Sequence, residues 1–266
     1  MNERFIEIMK DPVSNTPPRH KLSQDQAFKL GTDFQFIPSM KLGPWTSYSL
    51  LHDPKHMGFV LARYKFCAKM LEGKDSVLEV GCGDAFGIPI VAQSAAQVLG
   101  IDRELRLIQG NRRRLKPIKN ISFRQMDICQ NVPPEKFDAS YSIDVIEHLD
   151  RGLNDRFIAN QCACLHPEGV CIVGMPNVTA DKYAKFSRVQ HINLMSHAKL
   201  RGLMQKYFKN VFMFSMNDEV IHTGFPLMAH YLFAMGVGVK EAVTRRSSLV
   251  SRRRITIDGQ RATEQQ

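Results

Sequence analysis

Between Ser76 and Met175 short apolar runs alternate with helix-patterned segments, and this alternation limits the fold more than any other feature of the chain. Ser76 to Val80, Val98 to Asp102, Ile121 to Arg124, Phe137 to Ile143 and Gly169 to Met175 read as strands. Ile88 to Ala96, Glu104 to Leu115 and Asp150 to Leu165 read as helices between them. Strands that are apolar along their whole length must be covered on both faces. Strands separated by helices reach one another by crossovers, which makes them parallel. The expected class is α/β, with a mostly parallel sheet between two layers of helices.

The flanks read differently. Residues 1–52 carry Pro17, Pro18, Pro38 and Pro44 and predict an irregular extension with short helices. Asp53-Pro54 then opens a helix whose inward face is Met57, Val60, Leu61, Tyr64, Ala68 and Leu71, with Arg63, Lys65 and Lys69 facing elsewhere and an end near Gly73. Late in the chain, Leu200, Leu203, Met204 and Tyr207 mark one more helix, and Asn210 to Met216 and Phe225 to Phe233 the final strands. The expected organisation is an N-terminal extension and helix over 1–72, a lid or support; a main domain over 73–240; and a basic, mobile tail over 241–266.

Composition excludes several classes. The 266 residues, 44% of them hydrophobic and 23% charged, suit a globular chain with a sizeable core rather than a fibrous or disordered one. The formal charge of +10 invites an anionic partner, yet seven basic against three acidic residues in 240–266 place part of it in the tail. Six cysteines form no C-x-x-C pair and lie in apolar runs, so they read as reduced core thiols. Met1 to Asp11 lacks the pattern of an export signal, and Gly224 to Val239 is too short and too interrupted to span a bilayer. A cytoplasmic protein without a membrane span is the expectation.

Chemistry enters at Val77-Leu78-Glu79-Val80-Gly81-Cys82-Gly83-Asp84-Ala85-Phe86-Gly87, a buried strand that runs into a glycine turn and a helix. Residues without a Cβ let the backbone pass close to a ligand, and the helix start behind them offers unpaired N–H groups. By itself the turn is equally well a tight strand-to-helix connection. A dinucleotide fingerprint would need glycine where Phe86 stands, and Glu79 would repel a pyrophosphate. A carboxylate there suits a cationic or amine-bearing ligand.

At these residues the chain resembles the class I S-adenosylmethionine-dependent methyltransferases, whose first motif is a strand, an acidic residue and G-x-G-x-G. Glu79, Gly81, Cys82 and Gly83 match, and Ala85 replaces the third glycine. The resemblance implies a Rossmann-like methyltransferase fold, with a mostly parallel seven-stranded sheet and an antiparallel final strand. It implies that Asp102, at the end of Leu99-Gly100-Ile101-Asp102, accepts from both ribose hydroxyls, which suits the two oxygens of a carboxylate. It places Asp127 on the adenine amino group and Ile128 against the ring, and it makes Ile143 to His148 the wall between cofactor and acceptor. S-adenosylmethionine is the implied cofactor.

On the acceptor side His148 and His191 are the candidate catalytic residues, His191 for acceptor contact and His148 near the methyl group. Asn177, Asp181 and Tyr183, and Asn217-Asp218-Glu219 with His222 and Thr223, are polar clusters that either select a substrate or form solvated loops. Leu42 to Tyr48, with the only tryptophan, Trp45, suits a lid. The wider layout is similar to bacterial methyltransferases of surface-polysaccharide biosynthesis, which implies a sugar, nucleotide-sugar or phosphoramidate acceptor, and the remaining positive charge is consistent with an anionic one. An RNA methyltransferase using the basic tail is the alternative, although the segment after the fourth strand lacks the N/D-P-P-aromatic motif. A non-catalytic binding protein is the second alternative. No metal is expected, since carboxylates do not cluster beyond the cofactor positions.

Overall fold

The computed structural model describes residues 40–179 and 191–241. Asp181, Tyr183, Gln190 and nearly all of the basic tail therefore lie outside the described residues, as does the extension before residue 40. The chain divides into two compact units, Met1–Lys41 and Leu42–Gln266. The boundary expected at residue 72 falls inside the second unit, which is the one described below.

Among the described residues eight strands form one sheet in the order β3-β2-β1-β4-β5-β8-β6-β7. These are β1 (Ser76–Val80), β2 (Gln97–Asp102), β3 (Ile121–Gln125), β4 (Phe137–Ile143), β5 (Leu165–Pro176), β6 (Phe208–Asn217), β7 (Val220–His222) and β8 (Tyr231–Val239). The first five run parallel, and β8 enters antiparallel between β5 and β6. The helices are α1 (Pro44–His52), α2 (Pro54–Met70), α3 (Ile88–Ala92), α4 (Leu105–Arg114), α5 (Asn154–Ala163) and α6 (His197–Gln205). None of them, among the described residues, is long and apolar enough to cross a membrane.

Alternation along the strands creates two cores. Leu78, Val80, Leu99 and Ile101 point into one, with Phe157 and Ile158 of α5 and Leu200 and Met204 of α6. Val77, Val98, Ala139 and Tyr141 point into the other, with Tyr64, Phe66 and Cys67 of α2. All six cysteines are free and buried, as the apolar runs around them imply.

Four expectations shift. The sheet has eight strands, because β6 folds back through a turn at Asp218 into the short β7. The last strand occupies Tyr231–Val239 rather than Phe225 to Phe233, since Pro226 starts a short 3-10 turn and Gly236 sits inside the strand. That glycine is required there: a Cβ would lie 2.3 Å from the Phe208 ring. The helix expected over 88–96 ends at Ala92. Arg63 does not face outward with Lys65 and Lys69; it is buried, 8% exposed.

Candidate functional site

The strand order reverses between β1 and β4, because the chain builds β1, β2 and β3 outward to one side and then returns to start β4 on the other. A crevice opens at such a point beyond the carboxyl ends of the strands. A cleft of about 1270 Å³ lies there, walled by the turns after β1, β2, β3 and β4 and by residues of α1 and α2.

The turn after β1 is shaped by backbone that few side chains tolerate. Gly81 and Gly83 have φ of 74° and 52°, and Ala85 holds 56° where a third glycine would be free of strain. A Cβ on Gly81 would meet Val145 at 2.5 Å, and one on Gly83 would meet the Trp45 ring at 2.6 Å. Neighbours hold the turn closed. Asn111 of α4, fully buried, donates to the Gly83 carbonyl at 2.8 Å, and Arg114 donates to the Asp84 carbonyl at 2.6 Å. The Asp84 carboxylate accepts from the Thr46 N–H at 2.8 Å and from its hydroxyl at 3.1 Å, which seats α1 on the turn with Trp45 over Gly83. Thr46, Asn111 and Arg114 carry no motif signal, since their partners are 28 to 38 residues away.

The residues predicted for the cofactor gather at this cleft, with one exception. Gly81, Cys82, Gly83, Asp102, Asp127, Ile128 and Ile143 all line it. Asp102 accepts from the backbone N–H of Gly83 at 3.0 Å and of Glu104 at 2.8 Å, so its two oxygens are fixed in direction and keep lone pairs for a ligand. Asp127 is held likewise by the Cys129 N–H at 2.8 Å and the Gln130 amide at 3.1 Å. Glu79 is the exception, for it does not line the cleft. Strand alternation puts it on the face beneath α2, where Tyr64 donates to one oxygen at 2.8 Å and Tyr141 to the other at 3.0 Å. Burial pushes its carboxyl up to about 8, against the two hydroxyl donors, with Asp102 and Asp84 adding repulsion.

Beyond β4 the wall is of another kind. Asp144 sits at φ 57° and pairs at 2.5 Å with Arg63, whose guanidinium lies 4.0 Å from the centre of the Tyr231 ring. Glu147 follows in a 3-10 turn, fully buried, and neither of its oxygens has a hydrogen-bond partner among the described residues. Burial, with Asp144 beside it, holds its carboxyl well above the ordinary range. His148 lines the cleft, and His191 meets it edge-on with ring centres 5.1 Å apart. Buried Asn193 makes this meeting possible. Its amide donates to the Ile146 carbonyl at 2.9 Å and to Asn154 at 2.6 Å, and its N–H donates to the Glu147 carbonyl at 3.0 Å. His56 also lines the cleft, its pKa lowered by burial and by Arg63.

Asn177, Asn217, Asp218, Glu219, His222 and Thr223, the described members of the two polar clusters, do not line the cleft. Asn177 is buried and donates to the carbonyls of Pro226 and Ala229, pinning the loop before β8. Asn217 donates to the Met228 carbonyl and its oxygen lies 2.9 Å from His222, which fixes the β6–β7 turn.

Residues 78–173 match the family described as "Methyltransferase domain". A protein of Mycolicibacterium smegmatis named a "Probable S-adenosylmethionine-dependent methyltransferase" is 30% identical over 116 residues, which is 43% of this chain. The match spans 42% of that relative, so the chain covers about two fifths of its length. Among solved structures, the methyltransferase domain of bacterial CtHen1 superposes with a TM-score of 0.57 at 18% identity, over 68% of this chain and 99% of that one. The N-methyltransferase NodS from Bradyrhizobium japonicum WM9, bound to S-adenosyl-L-homocysteine, does so with a TM-score of 0.54 at 19% identity, over 73% and 92%. At these identities the structural likeness concerns the fold.

Proposed function

We propose that this chain, an S-adenosylmethionine-dependent methyltransferase by its domain and its strand order, passes the methyl group to a small-molecule acceptor, a sugar, nucleotide-sugar or phosphoramidate precursor of surface polysaccharide. The observation that carries the small-acceptor reading is the cleft. At about 1270 Å³ it exceeds the roughly 300–1,000 Å³ of a pocket for one ligand, and so has room for a cofactor and a compact acceptor side by side. Trp45 of α1 stands against the glycine turn at its edge, which supports a compact acceptor over a long polymer in this reading.

In this reading Asp102 holds the ribose hydroxyls, Asp127 and Ile128 the adenine, and the Gly81-Cys82-Gly83 backbone the amino-acid end, with Ile143 as wall. Glu79 acts from below, by holding Tyr64 and Tyr141 under the turn. S-adenosylmethionine supplies an activated methyl, so the protein's tasks are alignment and exclusion of water. His191 contacts the acceptor and His148 stands near the methyl group. Residues 73–240 form the methyltransferase domain, 1–72 its lid and support, and 241–266 a basic tail; the protein works in the cytoplasm.

Calorimetry with S-adenosylmethionine tests the cofactor site. A tritiated-methyl transfer screen against nucleotide sugars, phosphoramidates, glycan precursors and total RNA tests the acceptor, with label expected in the small-molecule fractions. Label in RNA alone would overturn that choice.

A further inference from the structure

We propose that Glu147, His148 and His191 hold a divalent first-row transition-metal ion that binds an oxygen of the acceptor; the proposal rests on the methyl-transfer reading and deepens it. One carboxylate oxygen and one ring nitrogen from each histidine lie within 4.8 Å of one another. Ligands about 2.1 Å from a common ion sit about 3 to 4.2 Å apart, so small side-chain rotations close this set.

A second observation makes the cluster a built site. Glu147 is 0% exposed, and both of its oxygens lack a hydrogen-bond partner among the described residues. A buried carboxylate is costly unless a cation or donors face it. The guanidinium of Arg63 is already engaged by Asp144, whose carboxyl also lies beside Glu147. The Asn193 bridges to Ile146, Glu147 and Asn154 keep the His191 segment against the turn that carries the other two residues.

The donor set selects the ion. Two imidazoles and one carboxylate suit Mn²⁺, Fe²⁺, Co²⁺ or Zn²⁺, whereas Mg²⁺ and Ca²⁺ prefer oxygen cages. Three protein ligands leave positions open, and His148 lines the cleft where an acceptor would enter. The acceptor class is then a hydroxyl compound. Its ion-bound O–H releases a proton to water, an oxygen lone pair forms the C–O bond to the sulfonium methyl, and the C–S electron pair stays on sulfur as a neutral thioether. The step is redox-neutral, and the histidines act in it as ligands rather than as bases.

The full chain, freed of metal by a chelator, is titrated with Co²⁺ and followed by calorimetry and by visible absorption. One equivalent per chain is expected, with affinity about tenfold or more weaker in both Glu147→Gln and His148→Ala. Glu147→Gln keeps the buried shape, and His148 is exposed, so at least the second variant leaves the core intact. Absence of stoichiometric Co²⁺ binding, or wild-type affinity in both variants, would overturn the site. Titration with S-adenosylmethionine on the same sample separates the two readings. Cofactor binding without Co²⁺ binding removes the metal alone, and binding of neither removes the methyl-transfer reading with it.

Discussion

The two halves of the structure around the cleft treat their polar groups in opposite ways. Behind β1, β2 and β3 every acid is satisfied from within: Asp102 by two backbone N–H groups, Asp127 by one N–H and an amide, Glu79 by two tyrosine hydroxyls. Behind β4, Arg63 Nε, Asp144 Oδ1, both Glu147 oxygens and the Tyr231 hydroxyl are buried without hydrogen-bond partners among the described residues. Native interiors rarely leave such groups unpaired. The first half is thus held in place by its own hydrogen bonds, as the proposed cofactor site needs. The second half keeps its buried polar atoms close to one another, around Asp144, without such donors.

The largest effect that would sharpen this contrast is expected on the acceptor half. His191→Ala should lower turnover about a hundredfold, the size of effect a positioned acid, base or acceptor ligand commonly has, while affinity for S-adenosylmethionine in calorimetry stays within about twofold. An unchanged rate would remove His191 from the chemistry, and a parallel loss of cofactor affinity would break the division into halves. Next in size comes Asp102→Asn. It keeps one acceptor for the turn, leaves the other backbone N–H facing an amide donor and loses the charge that two ribose hydroxyls would meet, so cofactor affinity should fall about tenfold to a hundredfold, with the melting temperature of the free chain lowered by only a few degrees. Equal affinity in the variant would mean that the carboxylate serves only the turn.

The same contrast decides what could be read before the structure. The proposed cofactor half is local: each acid lies at or within two residues of the end of a strand, so an apolar run and the carboxylate near its end mark the place. Ala85 illustrates how far such a pattern carries, since the departure from glycine changes the residue while the backbone keeps a φ of 56°. The acceptor half is assembled from α2, the turn after β4 and β8, so Arg63, Asp144 and Tyr231 meet with no period to announce them. Arg63 was expected on the solvent side because helical periodicity counts apolar positions, and a buried ion pair breaks that count. His191 and His148 were legible as candidates, but their contact depends on Asn193, a residue that drew no notice. The end of the sheet was blurred for a related reason: Gly236 and Gly238 weaken the strand pattern, although Gly236 is what lets β8 pass over Phe208.

The smallest expected effect tests whether the cofactor half is as self-contained as its hydrogen bonds imply. Glu79 faces Tyr64, Tyr141, the thiols of Cys67 and Cys82, and the carboxylates of Asp102 and Asp84, with no cation among the groups that act on it. Its carboxyl is pushed up from an ordinary 4.5 to about 8, so between those values the folded chain keeps a proton that the unfolded chain has released. Unfolding then liberates a proton, and rising pH favours it. The contribution of Glu79 is full below about pH 4.5 and fades as pH climbs through about 8. Glu79→Gln has nearly the shape of the protonated acid and no proton to lose, so its melting temperature should fall less than that of the wild-type chain between pH 5 and 8. Parallel melting curves for the two chains over that range would show that Glu79 is ionised in the fold. An unseen cation or donor would then have to face it, and the satisfied half of the cleft would not be complete without its ligand.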